Sequence, residues 1–159
     1  MPRNFSSSKT VLPEKALIRC EELCARAERC EHELREKMYA WRINGRDIDA
    51  IINSLTTRRF LDNSRFARAF VRDKYRFAHW GRRKIALSLR QKRIDNDTID
   101  EALDEINQEE YAAILHGLLK AKAARMEQPL SYESRVKLFR FGVSRGFEPQ
   151  LISSTLKTL

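Results

Sequence analysis

The sequence predicts an all-α protein built from three tandem three-helix repeats, about nine helices stacked into an elongated, curved array. Three observations carry this. The 159-residue chain holds only 5 Gly and 4 Pro and is rich in Glu, Lys, Arg, Leu and Ala, a composition with few chain breakers and many helix formers. Apolar residues recur at helical spacing, and no run of 4–8 residues alternates as a strand would. The apolar pattern also repeats itself at a shift of 51 residues.

The elements follow in chain order. Residues 1–12 begin polar and serine-rich, without the apolar core of a secretory signal, and are expected to fray. The first repeat, 13–57, opens with a helical stretch over 14–28. Leu34, Met38 and Trp41 then share one helical face, Asn44-Gly45 breaks the pattern, and Ile48, Ile51, Ile52 and Leu55 form the next face. Asp47 and Asp49 lie in that helix's first turn, where a carboxylate suits the dipole. The second repeat, 58–107, opens with a stretch over 63–78, with Asp62 or Asn63 as its cap. A shift of 51 places Ile85, Leu89 and Lys92 on Leu34, Met38 and Trp41, and Ile94 on Ile43. It also places Ile99, Ala102, Leu103 and Ile106 on Ile48, Ile51, Ile52 and Leu55. The third repeat, 108–159, opens with 109–124, followed by a loop from Glu127 to Ser131 that contains Pro129. Leu138, Phe147, Ile152 and Leu156 match Ile85, Ile94, Ile99 and Leu103 at a shift of 53. A unit of about 50 residues buries little alone, so neighbouring repeats are expected to stack.

Charge is distributed in blocks. The net charge is +9, yet residues 58–93 hold 13 Lys/Arg against 2 Asp/Glu, and residues 94–110 hold none against 8. One reading is two solvated helix faces that partly neutralise each other. The other is an electrostatic footprint for nucleic acid or a nucleoprotein surface. Within 63–78, Arg65, Arg68, Arg72 and Arg76 fall in an arc of about 80°. Phe66, Ala67, Phe70, Val71, Phe77 and Ala78 fall opposite and are expected to be buried. Lys74 lies inside that apolar arc, so it must snorkel or the helix must end near it. In 81–92, Ile85 and Leu89 face inward, Arg83 and Arg90 share one flank, and Arg82 and Lys84 project elsewhere. The candidate contact set is therefore Arg65, Arg68, Arg72, Arg76, Arg82, Arg83, Lys84, Arg90 and Lys92. Tyr75, Phe77, His79 and Trp80 interleave with it, either as base-stacking platforms or as core.

The sequence offers no catalytic, cofactor or metal residues, and an enzyme is not expected. The glycines, at 45, 81, 117, 142 and 146, form no phosphate-cradling loop. His32, His79 and His116 are scattered, and neither His-Glu-x-x-His nor Gly-x-Ser-x-Gly occurs. Cys20, Cys24, Cys30 and His32 lack zinc-knuckle spacing and read as core or surface thiols rather than ligands. An odd cysteine count without a signal suggests a reducing cytoplasm. The longest apolar runs, such as Ala112 to Leu115, are far too short to span a membrane.

The run Leu61-Asp62-Asn63-Ser64-Arg65-Phe66-Ala67-Arg68-Ala69-Phe70-Val71-Arg72 closely resembles the signature of the RecX family, regulators of the bacterial RecA recombinase. Gly81 to Lys92 looks like the segment that follows it there, and Lys137 to Phe141 with Arg145 to Phe147 resembles the family's last repeat. The likeness covers about residues 15–159 and is most specific over 61–106. It implies tandem three-helix repeats. A monomer is the default expectation. The likeness also implies a modulator, mainly an inhibitor, that lies in the groove of the RecA–DNA filament. There it would restrain ATP hydrolysis, strand exchange or filament growth without covalent chemistry or a cofactor. Several proteins of this family also bind DNA directly. The alternative is a stand-alone DNA-binding protein that uses its basic three-helix units, one helix of which can enter a groove. Three positions depart from the family pattern. Asn63 stands where Asp is common, and Arg42 and Arg93 stand where Gly is common, leaving Gly146 alone to keep it. If those turns need a positive φ, each arginine costs on the order of 1 kcal/mol.

Overall fold

The computed structural model describes residues 10–159. Among them are nine helices and no strand: α1 Pro13–Arg26, α2 Glu31–Ala40, α3 Gly45–Thr57, α4 Asn63–Arg76, α5 Arg82–Gln91, α6 Asn96–Asp104, α7 Gln108–Ala123, α8 Tyr132–Ser144 and α9 Pro149–Leu156. The protein is thus an all-α helical repeat. Of the terminus expected to fray, residues 1–9 lie outside the described residues, and 10–12 carry no helix. No described helix is long and apolar enough to cross a membrane.

The chain divides into two compact units, Met1–Phe66 and Ala67–Leu159. In the first, α3 packs on α1 and α2. Its core gathers Ala16, Cys20, Leu34, Met38, Ile43, Ile48, Ile51, Ile52, Leu55 and Leu61. The periodic positions Leu34, Met38, Ile48, Ile51, Ile52 and Leu55 are among them, while Trp41 packs against this core only partly buried. In the second, α5 packs on α6, and α7, α8 and α9 pack on one another. Ile85, Leu89, Ile94, Ile99, Ala102 and Ile106 are buried there, as are Leu138, Phe147, Ile152 and Leu156. Burying each large aliphatic side chain is worth roughly 1.5–3 kcal/mol.

The same turn recurs after α2, α5 and α8. After α2, the Arg42 amide donates to the Tyr39 carbonyl and the Ile43 amide to the Met38 carbonyl. After α5, Arg93 donates to Arg90 and Ile94 to Leu89; after α8, Gly146 donates to Val143 and Phe147 to Gly142. This is a Schellman cap, which needs a left-handed residue followed by an apolar one. The left-handed residues are Arg42, Arg93 and Gly146, at φ 61°, 58° and 92°, and Ile43, Ile94 and Phe147 are buried behind them. The two arginines therefore occupy the conformation that glycine would adopt without strain. The next helix is capped in register. Asn44 accepts from the Asp47 amide and Asp95 from the Thr98 amide, both at 2.9 Å. The amide and hydroxyl of Thr98 hold the Asp95 carboxyl below its ordinary pKa.

Within the second unit, the loop between α4 and α5 is bolted to the turn between α8 and α9. The Gly81 amide donates to the Arg145 carbonyl at 2.7 Å and the Arg83 amide to the Gly146 carbonyl at 3.0 Å. The Arg145 guanidinium donates back to the Ala78 carbonyl. A Cβ at Gly81 would run into the backbone of Gly146 and Phe147, so this approach admits only glycine. The Arg82 amide donates to the Tyr111 hydroxyl at 2.9 Å, and that hydroxyl donates to Glu148 at 2.7 Å. Burial, with the Glu148 carboxylate beside it, raises the Tyr111 pKa, so the hydroxyl stays protonated and available as a donor.

Candidate nucleic-acid interface

Helix α4 begins where the sequence expects. Asp62 accepts from the Arg65 amide at 3.0 Å and caps the helix. Asn63 turns its carbonyl to the Glu31 amide instead, also at 3.0 Å. The helix ends at Arg76, two residues short of the expected 78. The Phe77 and Ala78 amides both return to the Asp73 carbonyl, and His79 turns the chain at φ 55°. Phe77, expected on the buried face, is therefore 80% exposed. Projection at 100° per residue does not extend past the last helical turn. Tyr75 is the reverse case. It is a candidate stacking platform in the sequence, but it is buried, with its hydroxyl 3.3 Å from Glu110.

The nine predicted basic residues fall into distinct roles. Arg65 is held within the first unit, 2.5 Å from Glu28 and donating to the carbonyls of Arg59 and Phe60. In the second unit, Arg68 pairs with Glu105 at 3.8 Å, and Arg76 pairs with Glu110 at 3.0 Å. Hydrogen bonding to Glu110 raises the Arg76 pKa further above its usual value. Arg82 reaches Glu148 at 3.3 Å and Gln108 at 2.8 Å, over the Tyr111 ring. Arg90 donates to Asn96 at 3.2 Å. Two residues of the acidic block, Glu105 and Glu110, thus neutralise part of the basic one. Arg72 and Arg83 are exposed, and neither has an ion-pair partner among the described residues.

Lys84 and Lys92 belong to a different arrangement. Phe70 and Trp80, both half-buried, meet edge to face with centroids 6.5 Å apart. Lys74 sets its ammonium 4.6 Å from the Trp80 centroid and 5.3 Å from that of Phe70. Lys84 lies 4.5 Å from Trp80, and Lys92 lies 6.0 Å from Phe70. Lys74 thus snorkels, as its place in the apolar arc requires, and its ammonium stops over the rings. Helical periodicity alone places Phe70 in the core and gives Lys74 no contact role. The signal was the lysine inside an aromatic arc.

The cysteines offer no comparable site. Burial and the neighbouring Cys24 push the Cys20 thiol up to about 11. Burial, then Glu28, raises Cys24. Both thiols are protonated at neutral pH, which disfavours nucleophilic or ligand roles. Among the described residues, no three His, Cys, Asp or Glu side chains gather as a metal site would need.

Comparison with known proteins gives a consistent answer. The family model described as the second three-helix domain of RecX matches residues 62–103, from the α4 cap into α6. Regulatory protein RecX of Clostridium botulinum (strain Eklund 17B) is 30% identical, over 97% of this chain and 74% of its own. Regulatory protein RecX of Prosthecochloris aestuarii is 32% identical, over 91% of this chain and 93% of its own. The crystal structure of RecX from Lactobacillus salivarius superposes with a TM-score of 0.83, at 20% identity over 92% of this chain and 96% of that one. The two relatives carry the family and the crystal structure carries the fold: the chain belongs to the RecX family of regulatory proteins.

Proposed function

We propose that this protein is a non-enzymatic modulator, mainly an inhibitor, of the RecA recombinase. It binds the RecA–DNA filament and restrains its ATPase, strand exchange or growth. Its membership of the RecX family along nearly the whole chain carries this reading. It works as a cytoplasmic monomer and needs no cofactor. The exposed Arg72 and Arg83 suit phosphates or acidic loops, because a guanidinium donates to either in pairs. Asp100 and Glu101 of the acidic block, exposed and without an ion pair among the described residues, suit basic loops of the recombinase. The test adds the protein to preformed RecA filaments on single-stranded DNA and follows ATP hydrolysis. Hydrolysis slows with the native chain, and Arg72→Glu with Arg83→Glu weakens the effect about tenfold. Hydrolysis unchanged at saturating protein would remove this reading.

A second reading is favoured by the exposed cations of α4 and α5: a protein that binds single- or double-stranded DNA by itself. Its affinity would fall steeply with salt in the absence of recombinase. Failure to retard DNA of either kind at low salt rejects it.

A further inference from the structure

The Phe70–Trp80 pair, its three lysines and the neighbouring Phe77 form an arrangement that the arginine stripe does not explain. The ammoniums of Lys74 and Lys84 each lie within 4.6 Å of one Trp80 centroid. They are therefore closer together than the Debye length of about 10 Å at 0.1 M salt. Neither has a carboxylate partner among the described residues. The negative faces of the rings offset this repulsion only in part. A phosphate would offset it fully. Three residues before Trp80, Phe77 leaves its ring 80% exposed, on a loop fixed by the Gly81 and Arg145 hydrogen bonds.

Paired ammoniums beside aromatic rings on a fixed backbone are what an unpaired nucleic-acid strand requires. Its phosphates seek cations and its bases seek π-faces. A duplex hides its base faces and an acidic peptide has none to stack.

We propose that Lys74, Lys84 and Lys92 with Trp80 and Phe77 form a single-stranded nucleic-acid subsite. The lysines hold phosphates, and the rings of Trp80 and Phe77 stack on bases. As a base arrives, the lysines swing from the rings to the backbone of the strand. This deepens the modulator reading, and rests on it only for the biological setting.

The chain has two tryptophans, so Trp41→Phe leaves Trp80 as the sole indole reporter. Titration of the full chain with oligothymidylate in the absence of recombinase should quench Trp80 emission. A duplex of equal length and heparin should bind without quenching. Phe77→Ala, which removes an exposed ring and leaves the core intact, should weaken oligothymidylate binding about tenfold and duplex binding less than twofold. Trp80→Ala should do the same. Three results overturn the subsite: oligothymidylate binding with Trp80 emission unchanged, equal losses for strand and duplex, or quenching by heparin as strong as by oligothymidylate. RecA ATPase inhibition, followed in parallel, reports on the modulator reading alone. Quenching without inhibition removes that reading and supports this subsite.

Discussion

Two basic faces lie within about thirty residues of each other and differ in what balances them. Along α4, Arg68 and Arg76 reach Glu105 and Glu110, and Arg82 at the start of α5 reaches Glu148. Lys74, Lys84 and Lys92 lean instead on Phe70 and Trp80. The first set includes forked side chains matched to carboxylates, which the protein itself supplies. In the second, the Lys74 and Lys84 ammoniums are point charges over rings, which attract a cation without neutralising it. The cationic residues of 58–93 are therefore not equivalent, and the net charge of a block does not reveal which of them remain available to a polyanion.

The largest effect should come from breaking the frame that supports both faces. Gly81→Ala drives a Cβ into the backbone of Gly146 and Phe147. A main-chain clash cannot be relieved by a rotamer change, so the loop must leave the turn between α8 and α9. A loss of about 3–5 kcal/mol is expected, read as a lower denaturation midpoint. A variant as stable as the native chain would mean that the loop is not bolted as described. The next effect separates the faces. Lys74→Glu with Lys84→Glu should weaken binding of single-stranded DNA by about 10- to 100-fold at low salt. Arg68→Gln with Arg76→Gln should weaken it by about threefold or less, since carboxylates already balance those charges. Equal losses in a DNA-anisotropy titration would erase the distinction. A third, smaller effect has the opposite sign. Glu105→Gln with Glu110→Gln removes the balancing carboxylates and should raise DNA affinity about three- to tenfold. The gain should shrink with salt; no gain at any salt would show that these ion pairs do not restrain the stripe.

What could be read from the sequence was what depends on near neighbours. Leu34 with Met38 and Ile85 with Leu89 announce buried helix faces, because 3.6-residue periodicity is local. The 51-residue shift carries that periodicity from repeat to repeat. The cap at Asp62 is legible for the same reason. The Arg76–Glu110 pair joins residues 34 apart, and no local pattern selects Glu110 over its acidic neighbours. Helical projection puts Phe77 on the buried face because it assumes a helix that has already ended. Lys74 stands out in the apolar arc, but only the return of the loop brings Trp80 to it. Site identity thus depended on tertiary pairing, whereas fold class did not.

The smallest effect tests whether backbone conformation and charge are separate variables in the basic block. Arg93 carries one of its charges, yet its φ of 58° serves the turn after α5. Replacing it with Gly removes left-handed strain at the cost of a more flexible unfolded chain, a net gain of about 0.5–1 kcal/mol. Arg42→Gly should do the same in the first unit, where φ is 61°. Each change should raise the Tm by about 1–4 °C. DNA affinity should move less than about twofold for Arg93→Gly, because its exposed side chain belongs to neither the carboxylate-balanced nor the ring-bound set. A falling Tm would mean that the arginine side chain stabilises its turn by more than the strain costs. An affinity loss comparable to that of the lysine variants would mean that charge density, not its placement over rings, governs binding.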